Sequence, residues 1–174
     1  MIFSGIYNRL QKKFKGPIGY ARYIGVTIGE NCKLIDNPDW GSEPYLITVG
    51  NHVYFSSKCS LVTHDGSTWC FRNEPEYKHV LRFGAIEIKD NCFIGMGVTI
   101  LPNVTIGPNS IVGAGSLVTK DVQPNSVYAG VPAKFICTMD EYKMKCKEAT
   151  PPYDLEAYRN DKQKVVMEIV LHNK

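Results

Sequence analysis

The chain is 174 residues long, 44% hydrophobic and 21% charged, which suits one domain with an ordinary core. Its 20 basic and 17 acidic side chains leave a net charge of +3, too thin to mass the basic face that an extended nucleic-acid footprint requires. The six cysteines, Cys32, Cys59, Cys70, Cys92, Cys137 and Cys146, form neither a CxxC pair nor the Cys/His cluster of a zinc site, and they read as free thiols.

At the amino terminus there is no basic stretch ahead of the apolar residues, no apolar run of secretory length and no small-residue cleavage site. No later window approaches the length of a membrane span. With unpaired thiols, the expected compartment is a reducing cytoplasm. Ile2, Phe3, Ile6, Leu10 and Phe14 recur at helical spacing, and Arg9, Lys12, Lys13 and Lys15 fall on the far side. The expected element is a helix with a solvated basic face; the rival is a helix lying on a membrane surface.

From Ile28 the periodicity changes. Ile28-Gly29 and Leu34 begin a six-residue spacing, and Asp36 to Pro44, rich in Pro, Gly, Asp and Asn, reads as a short loop. The spacing resumes in a shifted phase at Val49-Gly50, Phe55 and Leu61. Thr63 to Ala85 is long, polar and aromatic, cannot sit in the repeat, and is expected to be a functional loop. The repeat is clearest beyond it. Aliphatic residues fall at Ile88, Ile94, Ile100, Ile106, Val112 and Val118, with small or β-branched residues at Cys92, Val98, Val104, Ser110, Ser116 and Val122. A period of six scatters around an α-helix but fits a short strand plus a corner, with both series facing one interior. An ordinary β-sandwich would place its turns every eight to twelve residues. After Pro151-Pro152, Asp154 to Leu171 is predicted helical, with Leu155, Tyr158, Val165, Val166 and Ile169 on one face.

The segment from Phe93-Ile94-Gly95 through Gly113-Ala114-Gly115, with Val118-Thr119-Lys120-Asp121 and Gly130-Val131-Pro132-Ala133-Lys134, resembles the hexapeptide-repeat acyltransferases. The resemblance is nearest to the sugar O-acetyltransferase branch, which includes galactoside, maltose and capsule-modifying enzymes. It implies an all-β, left-handed parallel β-helix of three hexapeptides per coil, against the usual crossover hand. The implied divisions are an N-terminal capping segment at 1–17, the β-helix at 18–136 with a protruding loop at 63–85, and a C-terminal α-helical extension at 137–174. It also implies a homotrimer with active sites between subunits, and acetyl-coenzyme A as co-substrate with no metal.

Acetyl transfer to a hydroxyl needs a base for the alcohol proton, and histidine suits neutral pH. Of four histidines, His172 lies at the carboxyl end, His52 sits inside a repeat beside Asn51, and His79 lies within the loop. His64 stands where the repeat stops and the loop begins, and the resemblance puts the catalytic histidine there. Its other ring nitrogen needs an acceptor: Asp65, Asp36 or a backbone carbonyl. The resemblance implies direct transfer in a ternary complex, without an acyl-enzyme on Cys59 or Cys70.

By the same resemblance, Gly95, Met96, Gly113 and Ala114 meet the pantetheine arm and thioester, and Thr119, Lys120 and Lys134 meet the phosphates. Phe93 stands where tryptophan is common, and Met96 where a small polar residue is frequent, leaving only its backbone for a hydrogen bond. For the acceptor, the two loops offer Asn37, Asp39, Asp65, Trp69, Arg72 and Arg82; Trp69 serves equally as packing. Three rivals stay open: an N-acetyltransferase of an amino sugar or amino acid, a γ-carbonic-anhydrase-like metalloenzyme using His52, His64 and His79, and a non-catalytic scaffold.

Overall fold

Short strands recurring every sixth residue wind the chain into a coil with three walls. The computed structural model describes residues 15–172, so the pattern of Ile2 to Phe14, with Arg9, Lys12 and Lys13, lies outside the described residues. The described chain opens on a helix at 15–23, α1. Twelve strands follow: β1 (Thr27–Ile28), β2 (Lys33–Leu34), β3 (Ile47–Val49), β4 (Tyr54–Phe55), β5 (Ser60–Leu61), β6 (Ile86–Ile88), β7 (Phe93–Ile94), β8 (Thr99–Ile100), β9 (Val104–Ile106), β10 (Ile111–Val112), β11 (Leu117–Val118) and β12 (Ser126–Ala129). A thirteenth, β13, spans Lys134–Thr138.

The walls have strand orders β1-β3-β6-β9, β13-β12-β10-β7-β4-β2 and β11-β8-β5. Successive strands step from wall to wall, and Ile88 stacks on Ile106, Ile94 on Val112 and Ile100 on Val118, all in parallel register. One coil is therefore three hexapeptides. The shifted phase of the earlier segment has a simple cause. Ile28 pairs with Val49 and Leu34 with Phe55, an offset three residues longer than one regular coil, because the loop at 36–44 is inserted between the first two coils.

Both predicted series point inward. Ile94, Val98, Ile100, Ile106 and Val112 have no exposed surface, and the other members of the two series are also buried. At roughly 25 cal/mol per Å² of apolar surface, this axial core is the main source of stability. Ser110 and Ser116 sit in the same interior, and their hydroxyls donate to the carbonyls of Gln123 (2.8 Å) and Gly113 (2.6 Å), which removes the cost of burying them.

The corners follow from residues that tolerate a left-handed backbone. Asn31, His52, Asn91, Asn109 and Asn125 all have φ between 54° and 57°. Their side chains form a ladder: the His52 ring meets Asn91 at 2.8 Å, Asn91 donates to Asn109 at 2.8 Å, and Asn109 donates to Asn125 at 3.0 Å. At Gly95 close approach is what matters: a Cβ there would lie 2.5 Å from the Ala114 nitrogen on the next coil. Gly95→Ala is therefore expected to destabilise the coil by about 1–3 kcal/mol, read as a drop in Tm of several degrees in thermal unfolding.

The chain divides into two compact units between Cys137 and Thr138. The second unit contains α2 (Met139–Glu148), α3 (Leu155–Asn160) and α4 (Lys162–His172). Thr138 and Glu141 form a reciprocal capping box at the start of α2, an element the sequence reading leaves unassigned within the extension. The single helix expected over 154–171 is instead two. Asp161 leaves helical geometry at φ −141° and ψ 76°, and its carboxylate then accepts from the Lys164 amide to start α4. Val165 of the predicted apolar face is buried, whereas Leu155 is exposed.

Candidate active site

His64 sits three residues past the end of β5, and the in-and-out alternation of the strand runs on to it. Leu61 and Thr63 point into the core, so the intervening geometry turns His64 outward, half-exposed. The loop leaves and returns at this point: Gly84 donates its amide to the Thr63 carbonyl (2.9 Å), Asp65 donates to the Arg82 carbonyl (2.9 Å), and His64 pairs with Phe83 in an antiparallel bridge. The rings of His64 and Phe83 are 6.2 Å apart.

The acceptor for the imidazole is Glu43, not Asp65, Asp36 or a backbone carbonyl. His64 Nδ1 lies 3.0 Å from Glu43 Oε2, and the Thr63 hydroxyl donates to the same oxygen at 2.7 Å. The Glu43 carboxyl is held below the usual carboxylate range, first by the Thr63 hydroxyl and then by His64. An ionised carboxylate has no proton to donate, so Nδ1 supplies it and Nε2 is left free to accept one. Sequence reasoning overlooked Glu43, although a signal was present. Asp39 bridges to Ser60 and Leu34 to Phe55 at a common offset of twenty-one residues, and the same offset sets Glu43 beside His64.

Asp65 is otherwise engaged. Its side chain caps the 3₁₀ turn Gly66–Phe71 by accepting from the Ser67 amide at 2.9 Å, and it pairs with Arg82 at 3.1 Å. The Ser67 donors, ahead of Arg82, hold the Asp65 carboxyl below its ordinary value. Cys59 is buried against the Gly95 carbonyl, and burial pushes its thiol up to about 11, which disarms it as a nucleophile at neutral pH.

Two clefts share Val62 and His64. One, of about 490 Å³, gathers Asp65, Arg82, Phe83, Leu101 and Thr119. Val62, Leu101 and Thr119 occupy the rung just past β5, β8 and β11, which explains how residues so distant in sequence converge. The other, of about 360 Å³, is lined by Asp39, Ser42, Ser60 and Thr63. Asn37 falls in a neighbouring hollow with Tyr20 and Trp40, its Oδ1 buried and without a hydrogen bond. Trp69 is 77% exposed and Arg72 donates to Thr68 within its own turn; neither lines these clefts.

Gly95, Met96, Gly113 and Ala114 come together at one corner of the coil, where the Gly115 amide donates to the Met96 carbonyl at 2.7 Å and the Met96 side chain is exposed. The close stacking of Gly95 on Ala114 and of Gly113 on Ala129 accounts for both glycines structurally. Lys120 and Lys134 are exposed, Lys134 opening β13 after the cis peptide Val131-Pro132. Among the described residues no three His, Cys, Asp or Glu side chains gather as a metal site would require, and His52 belongs to the asparagine ladder. No helix among them is long and apolar enough to cross a membrane.

Comparison with known proteins follows the same segments. A family model described as "Bacterial transferase hexapeptide (six repeats)" matches residues 85–120. The chain is 47% identical over 129 residues to Protein CapG of Staphylococcus aureus, covering 73% of this chain and 74% of that one. It is 32% identical over 136 residues to the galactoside O-acetyltransferase of Lactococcus lactis subsp. lactis (strain IL1403), covering 77% of this chain and 60% of that relative, less than two thirds of its length. Among solved structures, a galactoside acetyltransferase in complex with coenzyme A superposes with a TM-score of 0.53 at 26% identity, over 78% of this chain and 74% of that one.

Proposed function

Because the chain belongs to the hexapeptide-repeat transferases, in the sugar O-acetyltransferase branch, we propose that it moves an acetyl group from acetyl-coenzyme A to a hydroxyl of a sugar or polysaccharide precursor, with His64 as general base. The enzyme class and the acetyl-coenzyme A co-substrate go with that membership. The observation that carries the choice of base is the 3.0 Å contact between His64 Nδ1 and Glu43, at the junction of two clefts.

In this reading His64 Nε2 takes the proton of the acceptor hydroxyl as its oxygen attacks the thioester carbonyl. The tetrahedral intermediate collapses, the carbon–sulfur bond breaks, and the imidazolium returns the proton to the departing thiolate. Glu43 stabilises the imidazolium between these steps. A backbone amide near Gly95 or Gly113 supplies the donor for the oxyanion, an interaction worth about 3 kcal/mol in such sites.

Gly95, Met96, Gly113 and Ala114 take the pantetheine arm, and Lys120 and Lys134 take the phosphates. Thr119 lines the His64 cleft, which favours the thioester end over the phosphates for its hydroxyl. Asp39, Asp65 and Arg82 are the acceptor groups best supported by their position beside His64, with Asn37 further out. A left-handed winding, a homotrimer with sites between subunits and a cytoplasmic location complete the reading.

Calorimetry with acetyl-coenzyme A on the wild type and Lys134→Ala tests the cofactor half. Binding is expected to weaken about threefold to tenfold in the variant, and more so at low salt. Absence of binding by the wild type would overturn the acetyltransferase reading. A panel of sugar and amine acceptors, followed by coenzyme A thiol release, then separates O-transfer from N-transfer.

A further inference from the structure

Thr63 lies two residues past Leu61, on a rung that Pro102 continues in the next coil, and its side chain turns into the interior. Leu61, and Ile100 stacked on it in the next coil, are fully buried, and Thr63 itself has no exposed surface. A hydroxyl in such a place costs free energy unless it is hydrogen-bonded. The hydroxyl donates to Glu43 Oε2, the same oxygen that faces His64 Nδ1. The approach of the two segments is tight. Gly41, at φ +67°, lets the first loop cross so closely that a Cβ there would lie 2.8 Å from the Leu61 carbonyl oxygen and 3.1 Å from Thr63 Oγ1. The loop at 36–44 is thus pressed onto Thr63 by backbone geometry, and Glu43 follows Gly41 by two residues.

We propose that Thr63 is a positioning residue for the base: its hydroxyl pins the Glu43 carboxylate in the rotamer that accepts from His64 Nδ1, and so selects the imidazole tautomer with Nε2 free. This rests on the reading of His64 as base. A carboxylate held by one donor swings between its two oxygens. Held by two donors on one oxygen, from a buried hydroxyl and an imidazole, it has one orientation. The hydroxyl also draws charge from the carboxylate, which keeps Glu43 ionised rather than competing for the proton that His64 must handle. The other charged groups around the pair are Asp65 and Arg82, paired with each other on the loop side, and Asp39 on the other cleft. None of them hydrogen-bonds Glu43.

The test uses the full chain labelled with ¹⁵N-histidine and ¹³C-glutamate, studied by NMR without substrate, as wild type, Thr63→Val and Thr63→Ser. Valine keeps the branched shape and suits the apolar interior, and thermal unfolding confirms that each variant is folded. In the wild type neutral His64 is expected mainly as the Nδ1–H tautomer. Thr63→Val is expected to shift the majority to Nε2–H, the form that a free imidazole side chain favours, and to raise the Glu43 titration midpoint. Thr63→Ser restores both signals. An unchanged tautomer and an unchanged Glu43 midpoint in folded Thr63→Val would overturn the proposal, as would a change that serine does not reverse. Should the wild type bind no acetyl-coenzyme A, the acetyltransferase reading falls, while these spectra still decide whether Thr63 governs the Glu43–His64 contact.

Discussion

Replacing His64 by alanine is expected to lower acetyl transfer about a hundredfold to ten-thousandfold, the usual worth of a positioned general base. The loss should fall on kcat and leave the dissociation constant for acetyl-coenzyme A near that of the wild type. His64 is half-exposed and stands outside the axial core, so its removal should cost little stability. The measurement is initial velocity by thiol release, with calorimetric binding of the cofactor to the same preparation. Turnover within a factor of a few of wild type would place the base elsewhere. Loss of cofactor binding along with turnover would instead indicate a disturbed corner.

Glu43→Gln is expected to reduce kcat roughly tenfold to a hundredfold. The amide keeps the shape of the side chain and an oxygen able to accept from Thr63 and His64, so the change removes charge and little else. What it takes away is the counter-charge to the imidazolium that the proposed mechanism forms when His64 accepts the acceptor proton. The pH dependence carries a sign. The Glu43 carboxyl is depressed in the folded chain by Thr63 and then His64, so its charge, and the stability that charge brings, is complete above the ordinary carboxylate range. It is lost as pH falls through the lowered folded value. The difference between wild type and Glu43→Gln should therefore be full at neutral pH and close only at the acid end, which a pH profile of kcat for the two proteins would reveal.

Much of the coil was legible in the sequence because its interior obeys one rule throughout. The aliphatic positions from Ile88 to Val118 and the smaller series from Cys92 to Val122 all fill the axial core, and no tertiary context overrides them. The place of His64 was legible for the same reason, since the end of a periodic pattern is itself a mark. Glu43 was harder. Adjacency in sequence favours Asp65, yet Asp65 is drawn into capping the turn that follows it, while the acceptor arrives from the preceding coil through a register set by three inserted residues. The break at Asp161 was obscured by a different effect. The apolar spacing of Leu155 to Ile169 continues across it, and only the capping of the Lys164 amide by the Asp161 side chain reveals that the helix restarts. For Trp69 and Arg72 the composition of the loop indicates a chemistry but not a location: the turn that carries them leaves Trp69 exposed and bonds Arg72 to Thr68.

The neck of the long loop uncouples the loop from the coil that carries it. Its two ends are tied to each other by the Thr63–Gly84 and Asp65–Arg82 hydrogen bonds, and β5 and β6 keep their places in the walls on either side. The segment between the ties is thus an exchangeable cassette on a constant chassis. Its length can change between those ties without displacing the strands on either side or the Glu43–His64 contact.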